Sequence, residues 1–341
     1  MTVPTNDVHP WVAASDDGVR FATFRFPAAD RGWVRDEMQY LETAGFDAVF
    51  FPDHPLLWAD PWISLAAAAD ATTTLRLGSL VSCVAYRHPA VLARAVADVD
   101  GLSGGRAVLG LGSGDMPWEF DMLGLTYGTA SARRELLAQT LRVLPALLHG
   151  ETVSADGHGF WLRSAILPGT PVQQSGVPII VAGGSRGTLG LAAEHADAIN
   201  IGPVAWAGGA YSTGDAEDKF TLLDQACRNA GRSRRSVLRT GFLGLSVAAT
   251  TEEAQSVVDA VPADFRDFLR GFYFAGTPDE TVRYLDALIA SGYQYLAPVT
   301  ADLFTGSRVM TDLLVREVLP RVNRTPSPSA AAIEAVASVP H

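Results

Sequence analysis

Phe46-Asp47-Ala48-Val49-Phe50-Phe51 runs into Pro52-Asp53-His54-Pro55 and then into an alanine-rich stretch at 62–73. Read as a short apolar strand, a polar turn and a helix, this unit sets the architecture, because it recurs. Residues 75–81 close on Ser82-Cys83 before His88-Pro89-Ala90-Val91-Leu92, and residues 106–111 end in Gly112-Ser113-Gly114-Asp115. In a barrel of parallel strands the turns after the carboxyl ends converge, so polar residues placed there mark the catalytic face.

On the amino-terminal side, residues 18–26 read as a first strand. Val34, Met38 and Leu41 then fall on one helical face before Gly45. Further on, Leu137, Leu141, Leu144 and Leu148 give a longer helix within 129–148. Residues 151–176 break the rhythm and are expected as an insertion on the catalytic side. The unit resumes at 177–182, turning at Gly183-Gly184-Ser185 into a helix at 188–195, with a further strand at 198–201 and a helix at 216–230. Strand 237–248, helix 251–261, an aromatic excursion at 264–274, helix 278–290, strand 294–299 and helix 307–322 complete the count. Thr277-Pro278-Asp279-Glu280 carries the cap, the proline and the early acids of a helix start. About eight strands predict a (β/α)8 TIM barrel over 19–322, with flexible segments at 1–18 and 323–341; a doubly wound open sheet is the alternative.

Composition bounds the function. With 341 residues, 48% of them hydrophobic, the chain can bury a large core. Its 26 basic and 37 acidic residues leave a net charge of −11, which repels nucleic acid and anionic membranes. Cys83 and Cys227 lie far apart with no metal-ligand spacing, so no disulfide framework or zinc site is indicated. Neither a signal core nor a bilayer-length apolar run is seen, and a cytoplasmic protein is expected.

Asp53-His54 is the first chemical candidate, since a histidine at a strand end can handle a proton near neutral pH; a loop-fixing histidine is the bland alternative. Trp58 and Trp62 could wall a planar ligand or simply pack. Gly183-Gly184-Ser185, with Arg186, could cradle a phosphate at a helix start, or form an ordinary tight turn. Gly110-Leu111-Gly112-Ser113-Gly114 lacks dinucleotide spacing, and its glycines are expected to let a flat ring approach the backbone. Asp115 and Glu119 are expected at the mouth, where one could orient substrate or relay a proton. Cys83 reads as a packing residue.

These residues also resemble a family. Leu75-Arg76-Leu77-Gly78, Tyr86-Arg87-His88-Pro89-Ala90-Val91-Leu92-Ala93 and the run from Leu102-Ser103-Gly104-Gly105-Arg106 to Gly114 resemble the luciferase-like oxidoreductases, as do Asp53-His54, residues 178–184 and Gly276-Thr277-Pro278-Asp279-Glu280. The resemblance covers roughly 20–322. It implies a TIM barrel using reduced FMN or the deazaflavin coenzyme F420 on a small organic molecule, with His54, Asp53 and Asp115 as catalytic candidates. It also implies a non-proline cis peptide among Leu80, Val81 and Ser82 behind the cofactor ring. Cofactor contacts are expected from Trp58, Leu80, Val81, Ser82, Gly112, Ser113, Ala182, Gly183, Gly184 and Ser185. Bacterial luciferase has an arginine where this chain has Ser113. The Tyr-Arg-His-Pro-Ala segment and the His54 to Trp58 spacing tip the balance to F420 and hydride transfer. Gly114-Asp115-Met116-Pro117 looks more like FMN members, for which oxygenation with a separate reductase is the alternative. The resemblance further implies a homodimer or larger assembly. A non-catalytic flavin-binding barrel and a cofactor-free binding barrel are the readings from other classes.

Overall fold

The computed structural model describes residues 8–203, 207–261, 272–304 and 306–325. Eight parallel strands close a barrel. They are β1 (Arg20–Phe21 and Thr23–Phe24, a strand in two pieces), β2 (Ala48–Phe51), β3 (Arg76–Ser79), β4 (Ala107–Gly112), β5 (Ile179–Ala182), β6 (Ala198–Asn200), β7 (Leu238–Val247) and β8 (Tyr295–Thr300). Closure rests on β1, whose first piece pairs with β8 and whose second piece pairs with β2. Between the pieces, the Ala22 N–H donates to Leu296 O at 2.9 Å. A strand paired on both sides at the two ends of the sheet excludes the open doubly wound alternative.

The strands are apolar on both faces, as a parallel sheet covered on both sides requires. Phe50, Val108, Tyr295, Ala297 and Val299 point into the barrel, while their neighbours Val49, Phe51, Leu109 and Leu296 point out against the helices. Nine helices surround or floor the strands up to residue 259 among the described residues: α1 (Pro10–Ala13), α2 (Arg31–Thr43), α3 (Pro61–Ala71), α4 (Pro89–Ser103), α5 (Pro117–Met122), α6 (Ala130–Leu148), α7 (Arg186–His195), α8 (Thr213–Asn229) and α9 (Thr251–Asp259). The helix Pro278–Ala290 follows with a full capping box between Thr277 and Glu280. His88 caps α4 by accepting the Ala90 N–H on its Nδ1 at 3.3 Å, and Pro89 supplies the fixed φ of the first turn. The His-Pro pair at 88–89 therefore serves helix initiation.

Three sequence expectations change. Within the segment read as flexible at 1–18, the part from His9 onward is built into the barrel floor: Trp11, 1% exposed, packs edge-on against Tyr295 at 5.4 Å. Its backbone oxygen accepts from Arg20, which also pairs with Asp47 at 3.2 Å. The insertion at 151–176 is an antiparallel hairpin, Val153–Gly157 with Phe160–Ala165. It lies between the end of α6 and the start of β5, so it leaves and re-enters at the floor, where Gly176 O meets His9 Nε2 at 3.1 Å. It runs outside α4 and α6 and does not form part of the catalytic mouth. The final helix is shorter than read, an α-turn at Val309–Leu313 continued by a π-turn at Leu314–Val318. The excursion at 264–274 falls largely outside the described residues, and its end is a short strand, Tyr273–Gly276, alongside β7. The tail from residue 326 also lies outside them. Among the described residues no helix is long and apolar enough to cross a membrane.

Candidate active site

At the carboxyl ends of the strands lies a cavity of about 370 Å³. His54, just after β2, stands on its wall. Its Nδ1 is 2.8 Å from Glu119 Oε2 on α5. The same oxygen accepts from the Tyr86 hydroxyl at 2.8 Å, while Oε1 accepts from the Leu56 N–H at 3.2 Å. Glu119 is fully buried, and the Tyr86 hydroxyl and the Leu56 N–H both donate to it. A carboxylate in that setting takes a proton donor at Nδ1, which leaves Nε2 as the imidazole's exchangeable position. Burial, and then the hydrogen bond to Glu119, hold the Tyr86 phenol far above its ordinary pKa, so it stays a donor.

Asp53 is held by other partners. It is 1% exposed and pairs with Arg87, which bridges onward to Asp60 Oδ2 at 2.6 Å. Asp53 Oδ2 also accepts the Cys83 N–H at 3.3 Å, so the carboxylate ties the ends of β2 and β3 together. Burial pushes its pKa up, against the pull of Arg87. Asp53 therefore reaches the cavity as a buried, ion-paired support, and the carboxylate that meets His54 is Glu119. Asp115 lines the cavity. Cys83 lines it too, but burial pushes its thiol up to about 12, so it is a protonated packing group and not a nucleophile.

Leu80 and Val81 are joined by a cis peptide bond and both face the cavity. Ser82 does not: its hydroxyl accepts from Trp62 Nε1 at 3.1 Å and meets Ser79 Oγ at 3.0 Å inside the barrel wall. Trp62 is thus a packing residue, whereas Trp58 lines the cavity. The glycines of β4 admit protein before ligand. A Cβ on Gly110 would lie 2.1 Å from Ser79 O, and one on Gly112 would lie 2.4 Å from Val81 Cγ2. Their role is to let the Leu80-Val81 segment sit tightly on β4, with Gly112 and Ser113 beside it on the cavity wall.

Ala182, Gly183, Gly184 and Ser185 form the opposite shoulder at the start of α7. Ser185 caps the helix by accepting the Thr188 N–H at 3.2 Å and lies 2.8 Å from Thr188 Oγ1. The first backbone N–H groups of α7 have no intrahelical acceptor, which suits a phosphate. Gly183, at φ +124°, shapes this turn, and the Gly184 N–H is held by Ala207 O at 2.8 Å. Arg134 of α6 lies across the helix start, so close that a Cβ on Gly187 would be 2.8 Å from its Cδ and Nε. Arg133 packs its guanidinium 3.7 Å over the Tyr127 ring, and both arginines line the cavity.

Sequence reasoning did not single out Arg133, Arg134, Tyr86, Tyr127 or Asn200 as site residues. The adjacent arginines at the amino end of a leucine-periodic helix were the available signal, because a cation there opposes the helix dipole and wants an anion elsewhere.

A profile of luciferase-like monooxygenases matches residues 21–305. An F420-dependent hydroxymycolic acid dehydrogenase of Mycobacterium tuberculosis is 34% identical over 167 residues, 47% of this chain and 46% of that one, so the match spans less than half of that relative. An F420-dependent glucose-6-phosphate dehydrogenase of Beutenbergia cavernae is 27% identical over 86% of this chain and 95% of its own. The coenzyme F420-dependent tetrahydromethanopterin reductase of Methanopyrus kandleri superposes with a TM-score of 0.76 at 20% identity, over 90% of this chain and all of that one, and so shares the fold. With the closed barrel and a profile match that spans most of its length in agreement, the chain belongs to the luciferase-like monooxygenase family.

Proposed function

We propose that the protein is an oxidoreductase that binds reduced coenzyme F420 and exchanges a hydride with a small organic substrate, with His54 Nε2 handling the accompanying proton. The observation that carries this reading is the His54–Glu119–Tyr86 network. A histidine held through Nδ1 by a buried carboxylate has one free nitrogen, presented to a cavity. The F420-dependent relatives support the deazaflavin over FMN.

The residues present fit such a cofactor. The start of α7 and Arg134 would hold its phosphate, and Leu80, Val81, Gly112 and Ser113 would flank its ring. When bound, the reduced group supplies two electrons as a hydride. The chain's own part is to orient and to move a proton. Nε2 gives a proton to a carbonyl oxygen during reduction, or takes one from a hydroxyl during oxidation. Glu119 fixes the imidazole ring through Nδ1, and Tyr86 fixes Glu119. Asp115, on the cavity wall after β4, would face the cofactor side of the mouth, and Asp53 holds the β2 and β3 ends in register through Arg87 and the Cys83 amide. Self-association through the outer helices belongs to this reading as well.

The test compares turnover under nitrogen with turnover under air. Hydride transfer predicts substrate conversion without oxygen, and reoxidation of bound F420 that speeds up when substrate is added. Conversion that needs both oxygen and reduced FMN would replace this reading with the monooxygenase one, in which a separate reductase supplies the flavin.

A further inference from the structure

The cavity is divided by strand order. Going round the barrel, β4 and β5 lie opposite β1 and β8. On the β4 and β5 side stand the helix start at Ser185, Arg133, Arg134 and Asp115. On the other side runs an unbroken chain of rings. Trp58 stacks on Phe26 with centroids 4.1 Å apart and planes 11° from parallel. Phe26 meets Phe24 at 5.9 Å, Phe24 meets Phe242 at 4.9 Å, Phe242 meets Phe272 at 4.8 Å, and Phe272 meets Tyr273 at 5.1 Å. All six line the cavity, and His54 stands at one end of the chain, 5.6 Å from Trp58.

We infer that the substrate is an uncharged, ring-bearing alcohol or ketone whose apolar body lies along this aromatic arc with its oxygen at His54 Nε2. The inference rests on the proposed F420 reading for its chemistry and on the arc for its substrate class. Among the described lining residues the cations, Arg133 and Arg134, belong to the side that would hold the cofactor phosphate. A phosphorylated sugar on the arc side would lose hydration against six aromatic rings without a cation there to replace it. A neutral ring gains by the same burial, and stacked or edge-on contacts with Phe26 and Trp58 add directionality. In the oxidative direction the carbinol C–H bond breaks, its hydride passes to oxidised F420, and the hydroxyl proton passes to His54, which leaves the ketone.

Calorimetric titration of the full-length protein tests this, with and without oxidised F420, using 2-acetonaphthone, 1-(2-naphthyl)ethanol and glucose 6-phosphate as probes. The naphthyl probes are expected to bind at least about tenfold more tightly than glucose 6-phosphate. Phe26→Ala should weaken them by about tenfold while F420 affinity stays unchanged, and Phe26→Leu should restore part of the loss. Phe26 is half-buried in the loop after β1 and packs on the edge of the inner cluster, where Phe26→Leu keeps an apolar side chain. Glucose 6-phosphate binding as tightly as the naphthyl probes, or naphthyl affinity indifferent to Phe26→Ala, would overturn the inference. Failure of F420 itself to bind, with naphthyl binding intact, would instead remove the cofactor reading and leave the substrate class standing.

Discussion

Among single residues, the proposed chemistry turns on which nitrogen of His54 is free. His54→Ala should cut kcat by about 10²- to 10⁴-fold with cofactor affinity nearly unchanged, the range expected for loss of a general acid or base. Glu119→Gln should keep the fold but remove the carboxylate that holds Nδ1, and kcat should fall about tenfold with cofactor affinity nearly unchanged. Steady-state rates across pH check both. Unchanged rates in both variants would reduce the network to a loop support. The cavity-facing Cys83 makes a separate prediction. Burial raises its folded pKa from 9.0 to about 12, so the folded state holds a proton that the unfolded chain releases. Its stabilising contribution is complete below about pH 9 and is lost as pH rises toward 12. Iodoacetamide at pH 8 should therefore leave Cys83 unmodified in the native protein and alkylate it in denaturant, as read by peptide mass. His54 and the Gly183-Gly184-Ser185 turn were legible in the sequence because strand-end position alone aims them. The pairing of His54 with Glu119 was not, because it depends on α5 turning back over the mouth, which no local pattern encodes.

Elements here are fastened by a few polar ties between otherwise apolar surfaces. Glu42, in the last turn of α2, accepts on one oxygen from the N–H groups of Thr73, Thr74 and Leu75, at 2.8, 2.5 and 2.9 Å, and from the Thr74 hydroxyl at 2.9 Å. It thereby fixes the entry into β3. Burial alone would raise its pKa, but these hydrogen bonds outweigh burial and lower it from 4.5 to about 2. A depressed folded pKa means stability that is present above about pH 4.5 and lost as pH falls toward 2. Glu42→Ala should cost about 1–3 kcal/mol at pH 7 by urea unfolding, and the difference from wild type should shrink steadily below pH 4.5. A difference that persisted undiminished at pH 2 would show that packing, not the carboxylate, does the fastening. Helix starts such as Thr277-Pro278-Asp279-Glu280 were readable from sequence because a cap is a local device. The hairpin at 151–176 was misplaced because whether a connection lies at the floor or the mouth depends on the direction of the preceding helix, and Gly and Pro spacing does not carry direction.

For the molecule as a whole, the strand and helix alternation from 46 to 124 was enough to read a barrel, since each unit must bury both faces of a parallel strand. Closure through a two-piece β1, and the floor made by Trp11 against Tyr295, are contacts between distant parts of the chain and left no local mark. The division of the mouth into a cationic half and an aromatic half follows from which strands lie opposite each other, and so became visible only with the closed ring. Whether this mouth holds reduced F420 by the start of α7 and Arg134 is answered by an anaerobic fluorescence titration of the wild-type protein and Arg134→Ala with reduced F420 and reduced FMN side by side. Wild type should bind F420 more tightly than FMN, and Arg134→Ala should lose about tenfold or more in F420 affinity. Tight binding of FMN alone, or F420 affinity untouched by Arg134→Ala, would contradict the proposed cofactor site.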